Sequence, residues 1–293
     1  MTEGVLWALL AALGFGFAQI FNRKSNQTLD AYRTAFGLLL GVEVVLVVRM
    51  IVSGELPLAM EMPWAAVALF TLATTLHFVG GWTLLALSQQ RIGVARTGAL
   101  VSAAPLVGTI LAALVLDEPL TITILGGVVL AAVGVALISM SGGTKNGRNW
   151  SRPWLALTVA TIWGTSPTII RLGLERFDHP VLGVTVGLGI SLVGNFVLLL
   201  LWQGRRTESI PASTYRWLLA GGVAGAIGVS SQWISFGLTT VAIAITVQQL
   251  AAVVVVALVP LMFHEPFERL NLTFLAGTAA MLVGSFIVVM SGA

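Results

Sequence analysis

Apolar residues run along this chain in long stretches separated by short polar breaks. Crossing the hydrocarbon of a bilayer takes roughly 20 mostly apolar helical residues at about 1.5 Å each. By that measure the pattern predicts helices over 3–22, 30–51, 64–88, 92–115, 120–141, 154–174, 180–202, 213–237, 240–262 and 270–291. The breaks are Arg23 to Leu29, Gly54 to Pro63, Asp117-Glu118-Pro119, Gly142 to Pro153, Asp178-His179-Pro180, Gly204 to Pro211 and His264-Glu265-Pro266. Between the eighth and ninth helices only Leu238-Thr239-Thr240 interrupts the apolar run, so a loop and a re-entrant kink both remain open there. Almost every connection is too short to fold by itself, which puts any function between the helices.

The chain also repeats itself. Ala11-Ala12-Leu13-Gly14-Phe15-Gly16 resembles Val159-Ala160-Thr161-Ile162-Trp163-Gly164 at an offset of 148, and the same offset superposes Arg23 on Arg171 and Asp30 on Asp178. Asp117-Glu118-Pro119 meets His264-Glu265-Pro266 at 147, and Met140-Ser141-Gly142 meets Met290-Ser291-Gly292 at 150. The expected domains are residues 1–143 and 150–293, five spans each, joined by the polar segment Lys145–Arg152. Five is odd, so the second copy crosses in the opposite sense. The expected fold class is an all-α integral membrane protein of ten transmembrane helices in two inverted five-helix repeats. Such repeats place a site at their interface and permit alternating access.

Composition excludes a soluble enzyme. Only 9% of residues are charged and 57% are hydrophobic, where soluble domains carry about 25% charge. The sequence pI near 10.0 could suggest nucleic acid. The formal charge is only +3, however, and the basic residues are scattered over short loops, which fits a lipid bilayer as partner and no nucleic acid. The absence of cysteine excludes disulfides, thiolate metal sites and cysteine nucleophiles. His77, His179 and His264 lie in different segments, so neither metal nor cofactor is expected. The apolar start from Val5 lacks a basic leader and reads as a first span.

Arginine and lysine predict orientation. One face collects Arg23, Lys24, Arg33, Arg91, Arg96, Lys145, Arg148, Arg152, Arg205, Arg206, Arg216 and Arg269; the other has Arg49, Arg171 and Arg176 beside Glu55, Glu61, Asp117 and Glu118. The basic face is expected in the cytoplasm of a cell with an inner (plasma) membrane, with both termini on the non-cytoplasmic side.

Ile162-Trp163-Gly164-Thr165, Asp117-Glu118-Pro119-Leu120-Thr121 and His264-Glu265-Pro266-Phe267, set in a five-plus-five layout, resemble the drug/metabolite transporter superfamily in its ten-helix EamA-type branch. The resemblance covers nearly the whole chain. It implies a secondary transporter that exports or exchanges small metabolites, with neutral or aromatic amino acids as the leading substrates. It also implies a central cavity lined by the first, third, fourth, sixth, eighth and ninth helices. Two departures stand out. Phe15-Gly16 replaces the Trp-Gly common in the first helix, so that tryptophan's role carries over only to Trp163. The first helix also has no carboxylate after Glu3, where small multidrug members use a buried glutamate.

The candidate substrate-binding residues are Phe15, Gln19, His77, Trp82, Ser102, Trp163, Gln232, Gln248 and Gln249. A titratable side chain inside a span faces protein or water. His77, midway along the third span with Gly81, Leu84 and Ser88 on its face, reads either as a substrate or proton group or as a structural histidine. Glu43 in the second span reads as a coupling carboxylate or a paired structural one, so Glu43 and His77 are the candidates for coupling. Gly221, Gly225, Gly228, Gln232 and Ser235 make a small and polar stripe; close packing explains the glycines but not Gln232. Gln248 and Gln249 interrupt an apolar span and need partners. Asn195 reads as a bridge between helices. Pro105 and Pro167 each remove a helical hydrogen bond, so each is a candidate kink or gate. Asp117 and Glu118 suit the start of the helix that follows them. The expected molecule is a monomer or homodimer, and Gly126, Gly127, Gly134, Gly277 and Gly284 offer a surface for a second copy. Three rivals stay open: export of drugs, nucleosides or sugars on the same fold; a membrane enzyme, which would need a cluster of His, Asp or Glu that is not visible; and an assembly subunit without flux.

Overall fold

Without water to pair with, a backbone in hydrocarbon must satisfy its own N–H and C=O groups, and helices do this locally. The computed structural model describes residues 2–92, 94–141, 152–201, 210–263 and 272–292, and these are helical nearly throughout with no strand among them. The crossings are α1 (Thr2–Ser25) and α2 (Ala31–Val52), then, after the short α3 (Leu56–Met60), a third built from α4 (Trp64–Thr74), a π-helical stretch (Thr75–Gly81) and α5 (Trp82–Ile92). The fourth joins α6 (Val94–Val101) to α7 (Ala104–Val115); α8 (Ile122–Ser141), α9 (Trp154–Leu174), α10 (Pro180–Leu201) and α11 (Ala212–Leu238) follow. The ninth joins α12 (Val241–Gln248) to α13 (Ala251–Phe263), and α14 (Leu272–Ser291) ends the chain. Among the described residues nine stretches are long and apolar enough to span a membrane, and the two-part ninth crossing makes the tenth. The predicted joint at 145–151 and the His264-Glu265-Pro266 break lie outside the described residues.

Local chemistry sets the ends. Asp30 caps α2, accepting from the N–H groups of Tyr32 and Arg33 at 3.0 Å each. The doubtful eighth boundary is a true break, with Thr239 extended and the Thr240 hydroxyl accepting from Ile243 N. Two crossings expected to be continuous are divided. The fourth stops at Ser102-Ala103, and Pro105 stands in the first turn of α7, where its missing N–H has no partner to lose. It therefore opens a helix rather than kinking one. The ninth divides at Gln249-Leu250, where N–H groups reach back only three residues: Gln249 to Thr246 O at 3.2 Å and Leu250 to Val247 O at 3.1 Å. The two breaks are related by the repeat offset of 147. Pro167 stays within α9, which continues through it.

The π-helical stretch accounts for a detail of the repeat. The offset is 148 from Asp30 to Asp178 but 147 from Asp117 to His264, so the first copy has one more residue in that interval. A π-helical turn is what an α-helix becomes when it takes an extra residue. The third crossing holds such a turn, whereas its counterpart α11 is α-helical throughout. The Thr74 hydroxyl draws off the Phe70 carbonyl at 2.8 Å and, with Thr75, reaches Ser191 of α10, loosening the helix where the π turn begins.

The repeats interlock rather than lie side by side. Helix α1 runs along α11, and α9 runs along the third crossing in the inverted arrangement, while α2 packs on α11 and α10 packs on α4. Glycines permit this closeness: a Cβ on Gly14 would stand 2.6 Å from the Gly228 Cα. At the opposite edge α8 crosses α14. The glycines expected to face a second copy meet each other there instead. A Cβ on Gly277 would lie 2.7 Å from Gly134 O, and one on Gly127 would lie 2.9 Å from Gly284 O; only Gly126 faces open space. Asn195, expected to bridge helices, donates to Ser191 O of its own helix at 3.5 Å.

The space between the repeats is not symmetric across the membrane. On the face where α1 begins and α14 ends, α7 packs on α12, and Phe70, Ala112, Trp233, Phe236, Val241 and Ile245 close one apolar cluster. Towards the basic face α6 turns to α5, α8 and α9 while α13 turns to α1, and among the described residues α6 and α13 do not pack along each other. Among the described residues, the terminus face is thus closed by α7 against α12, a contact that α6 and α13 do not repeat toward the basic face.

The α8–α14 crossing gives a direct test. Gly277→Val should lower stability by about 1–3 kcal/mol, because a branched side chain overpacks a contact between backbones. Gly126→Ala should leave stability unchanged. Unfolding of the two variants in mixed micelles measures both, and equal effects would contradict the seam.

Candidate functional site

Half-helices that end inside a membrane protein expose backbone dipoles where a polar substrate can use them. The two breaks supply four such ends: the last carbonyls of α6 and α12 and the first N–H groups of α7 and α13. The side chains predicted to bind substrate fall into two groups around them.

One group joins the third and sixth crossings. His77 lies in the π turn, its ring stacked on Trp163 with centroids 5.4 Å apart and planes 18° apart. Its Nδ1 is 2.9 Å from the Ser166 hydroxyl, and the Trp163 indole N–H donates to His77 O at 3.2 Å. Phe78 meets His77 edge-on at 4.8 Å and faces Trp82 at 6.5 Å. Gly81 makes room for this, since a Cβ there would overlap the Trp163 indole. The face predicted for His77 holds for Gly81 and Leu84, which both meet α9, but Ser88 instead pairs with Thr97 of α6 at 2.9 Å.

The other group joins the eighth and ninth crossings. Gln232 donates through Nε2 to Gln248 Oε1 at 2.8 Å. Gln248 is 9% exposed, and its own Nε2 is buried without an acceptor. A buried amide left unpaired costs about 1–3 kcal/mol. Gln249 is half-buried at the break itself. The stripe on α11 divides as its chemistry requires: Gly228 meets Phe15, Gly225 meets Val42 and Ser235 donates to Gly4 O at 2.9 Å, which leaves Gln232 as the member that faces another amide.

Phe15 and Trp82 border the apolar cluster that closes the terminus face. Gln19, one turn beyond Phe15 on the same face of α1, is exposed, as expected where the bundle parts. Ser102 is buried and donates to Ala99 O of its own helix at 2.7 Å, so its hydroxyl is already engaged. Glu43 is placed elsewhere: its Oε1 abuts Gly189 on α10 and its Oε2 is buried without a partner, on the α2–α10 interface. The two residues considered for coupling, Glu43 and His77, thus sit in different interfaces. Among the described residues no group of His, Asp or Glu could hold a metal.

Sequence reasoning assigned Glu118 to the start of the helix that follows it, and the structure places it otherwise. Both carboxylate oxygens accept from the Val241 N–H, at 3.0 and 2.9 Å, so Glu118 caps α12 of the other repeat and not the helix that follows it. Helix α8 is capped by Thr121, which accepts from Ile124 N at 3.1 Å. A groove of 670 Å³ between α1 and α11 is lined by Leu10, Leu13, Phe17, Leu219 and their neighbours, with Arg216 at one end. These are bilayer-facing side chains, and none of the candidate substrate residues lines the groove.

A family model described as the EamA-like transporter family matches residues 2–140 and again residues 151–290. No curated protein matches the chain. A solved crystal structure superposes with a TM-score of 0.79 at 14% identity, covering 100% of this chain and 98% of its own, a likeness that extends to the fold alone.

The amide pair predicts unequal costs. Gln232→Leu should destabilise by about 1–3 kcal/mol, because it strands the whole Gln248 amide in a buried place. Gln248→Leu removes an unsatisfied donor together with the bond and should be close to neutral, and the double variant should return towards Gln248→Leu. A double-mutant cycle from unfolding in mixed micelles reads all three; a Gln248→Leu loss as large as that of Gln232→Leu would contradict the assignment.

Proposed function

Because the chain belongs to the EamA-like transporter family, a membrane transporter family of the drug/metabolite transporter superfamily, we propose that it exports small zwitterionic or neutral metabolites, with neutral and aromatic amino acids foremost. The observation that carries this reading is the buried, unpartnered Gln248 amide beside the break in the ninth crossing. An amide donor suits a carboxylate or carbonyl without demanding a counter-charge. Helix ends of both signs at the two breaks suit a molecule that carries both charges. The stacked His77 and Trp163 offer a flat apolar wall to a side chain, with Trp82 and Phe15 at its edge. A strongly cationic drug finds little support, since Glu43, the carboxylate within the spans, is directed at α10.

In this reading Phe15, Gln19, His77, Trp82, Trp163, Gln232, Gln248 and Gln249 contact substrate, while Ser102 contributes mainly through the break it occupies. Pro105 and Pro167 let the fourth and sixth crossings bend or part. The basic face lies in the cytoplasm of an inner-membrane protein, both termini lie outside, and the parted state is the one that loads substrate from within. Transport then proceeds by exchanging which face is parted, in a monomer or homodimer.

Counterflow tests the proposal. Proteoliposomes loaded with one unlabelled neutral amino acid at a time should accumulate the labelled form for a few aromatic or aliphatic members, and protein-free vesicles should not. The Gln248→Leu/Gln249→Leu double variant should lose this flux while remaining folded. Absence of flux for every amino acid would sink the substrate class, and undiminished flux in the double variant would remove the two glutamines from the site.

A further inference from the structure

A carboxylate that leaves its own helix to hold another is free to serve a different purpose from capping. Asp117 adopts φ 53°, a left-handed conformation that aspartate tolerates better than most residues, and Glu118 N–H returns to Ala112 O at 3.4 Å. The turn ends α7 and swings the Glu118 side chain across the repeat boundary. There it meets the N-terminus of α12, where the Thr240 hydroxyl already accepts from Ile243 N. The Arg171 guanidinium lies close enough to act on the carboxylate and itself donates to Phe236 O in the last turn of α11. Glu118 therefore ties the α7–α8 connection of the first repeat to three elements of the second: α9, α11 and α12.

The tie sits where α7 and α12 meet. Helix α7 leads directly into it, α12 begins at it, and α7 and α12 are the half-helices that pack together on the terminus face. Opening that face requires α12 to leave α7, and the Glu118–Val241 contact must break for this to happen. We propose that Glu118 is a latch: its carboxylate, carried by one repeat, holds the N-terminus of α12 in the other and keeps the terminus face shut. Burial pushes the Glu118 carboxyl above its ordinary range, while the Val241 N–H, Arg171 and the Ala242 N–H pull it part of the way back. The need for such a face to open rests on the transport reading, whereas the contact itself does not.

The chain has no native cysteine, so sided labelling is clean. Ala112→Cys places one thiol in the shut cluster beside Val241 and Ile245, and Gln19→Cys places one in the space parted toward the basic face. Each is made in the full chain, reconstituted in vesicles of both orientations, with and without Glu118→Leu, and treated with a membrane-impermeant maleimide. Glu118→Leu should speed labelling at Ala112→Cys from the terminus face about tenfold, the loss of one charge-assisted bond, and should slow labelling at Gln19→Cys from the basic face. Glu118→Gln, which keeps an acceptor oxygen without the charge, should fall between parent and Leu variant, and it carries the test alone if the Leu variant does not fold. An unchanged rate at Ala112→Cys overturns the latch. Faster labelling at both faces also overturns it, since it reports a loosened bundle. Failure of counterflow for all substrates would remove the transport reading and leave these rates as an independent measure.

Discussion

No water reaches the backbone inside a bilayer, so each N–H and C=O must be paired within the protein or stand where a polar group can meet it. Most of this chain obeys by being helical. The two crossings that stop midway, at Ser102-Ala103 and at Gln249-Leu250, do so between helices, where the freed groups are sheltered. The same constraint governs side chains. Hydroxyls of Thr74, Ser102, Thr165 and Ser191 return to carbonyls of their own helices, whereas some buried polar atoms have no such outlet. Gln248 is one of them, at the end of α12 beside the break.

Close approach of backbones makes the interlocked arrangement possible. Hydrocarbon gives apolar side chains no reason to prefer each other over lipid, so contacts between helices depend on fit. Gly14 against Gly228, Gly134 against Gly277 and Gly127 against Gly284 provide that fit at opposite edges of the bundle. Glycines in a span read equally well as a surface for a second copy; which partner they meet is a property of the tertiary fold, and here the partner is the other repeat.

The sequence made the spans legible because hydrocarbon thickness imposes their length, and it made the inversion legible because the duplicated unit has an odd number of spans. Gln232 stood out as a residue that packing does not explain, His77 as a titratable group within a span and Trp163 through the family resemblance. The breaks did not stand out. Val101-Ser102-Ala103 is as helix-compatible as its surroundings, Gln248-Gln249 reads as polarity within a helix rather than as its end, and Pro105 reads the same whether it bends a helix or begins one. Nor could a local reading show that Glu118 faces Val241, some 120 positions away along the chain. One signal was present and goes further than the motifs themselves: the slip of the repeat offset from 148 to 147 marks an extra residue, and only the coordinates show that the third crossing absorbs it.

The two halves also differ in the side chains they carry at equivalent positions. At the repeat offset His77, Trp163 and Ser166 correspond to Gly225, Phe15 and Ala18, and those three also lie together, with Gly225 facing Ala18 and Phe15 against Gly228. One half of the molecule thus presents an imidazole, an indole and a hydroxyl where the other presents a phenyl ring between small apolar residues. The pseudo-twofold axis relates the backbones but not their chemistry. Under the transport reading proposed above, a guest turned end over end about that axis would meet a different surface, so one heading would be preferred over the other.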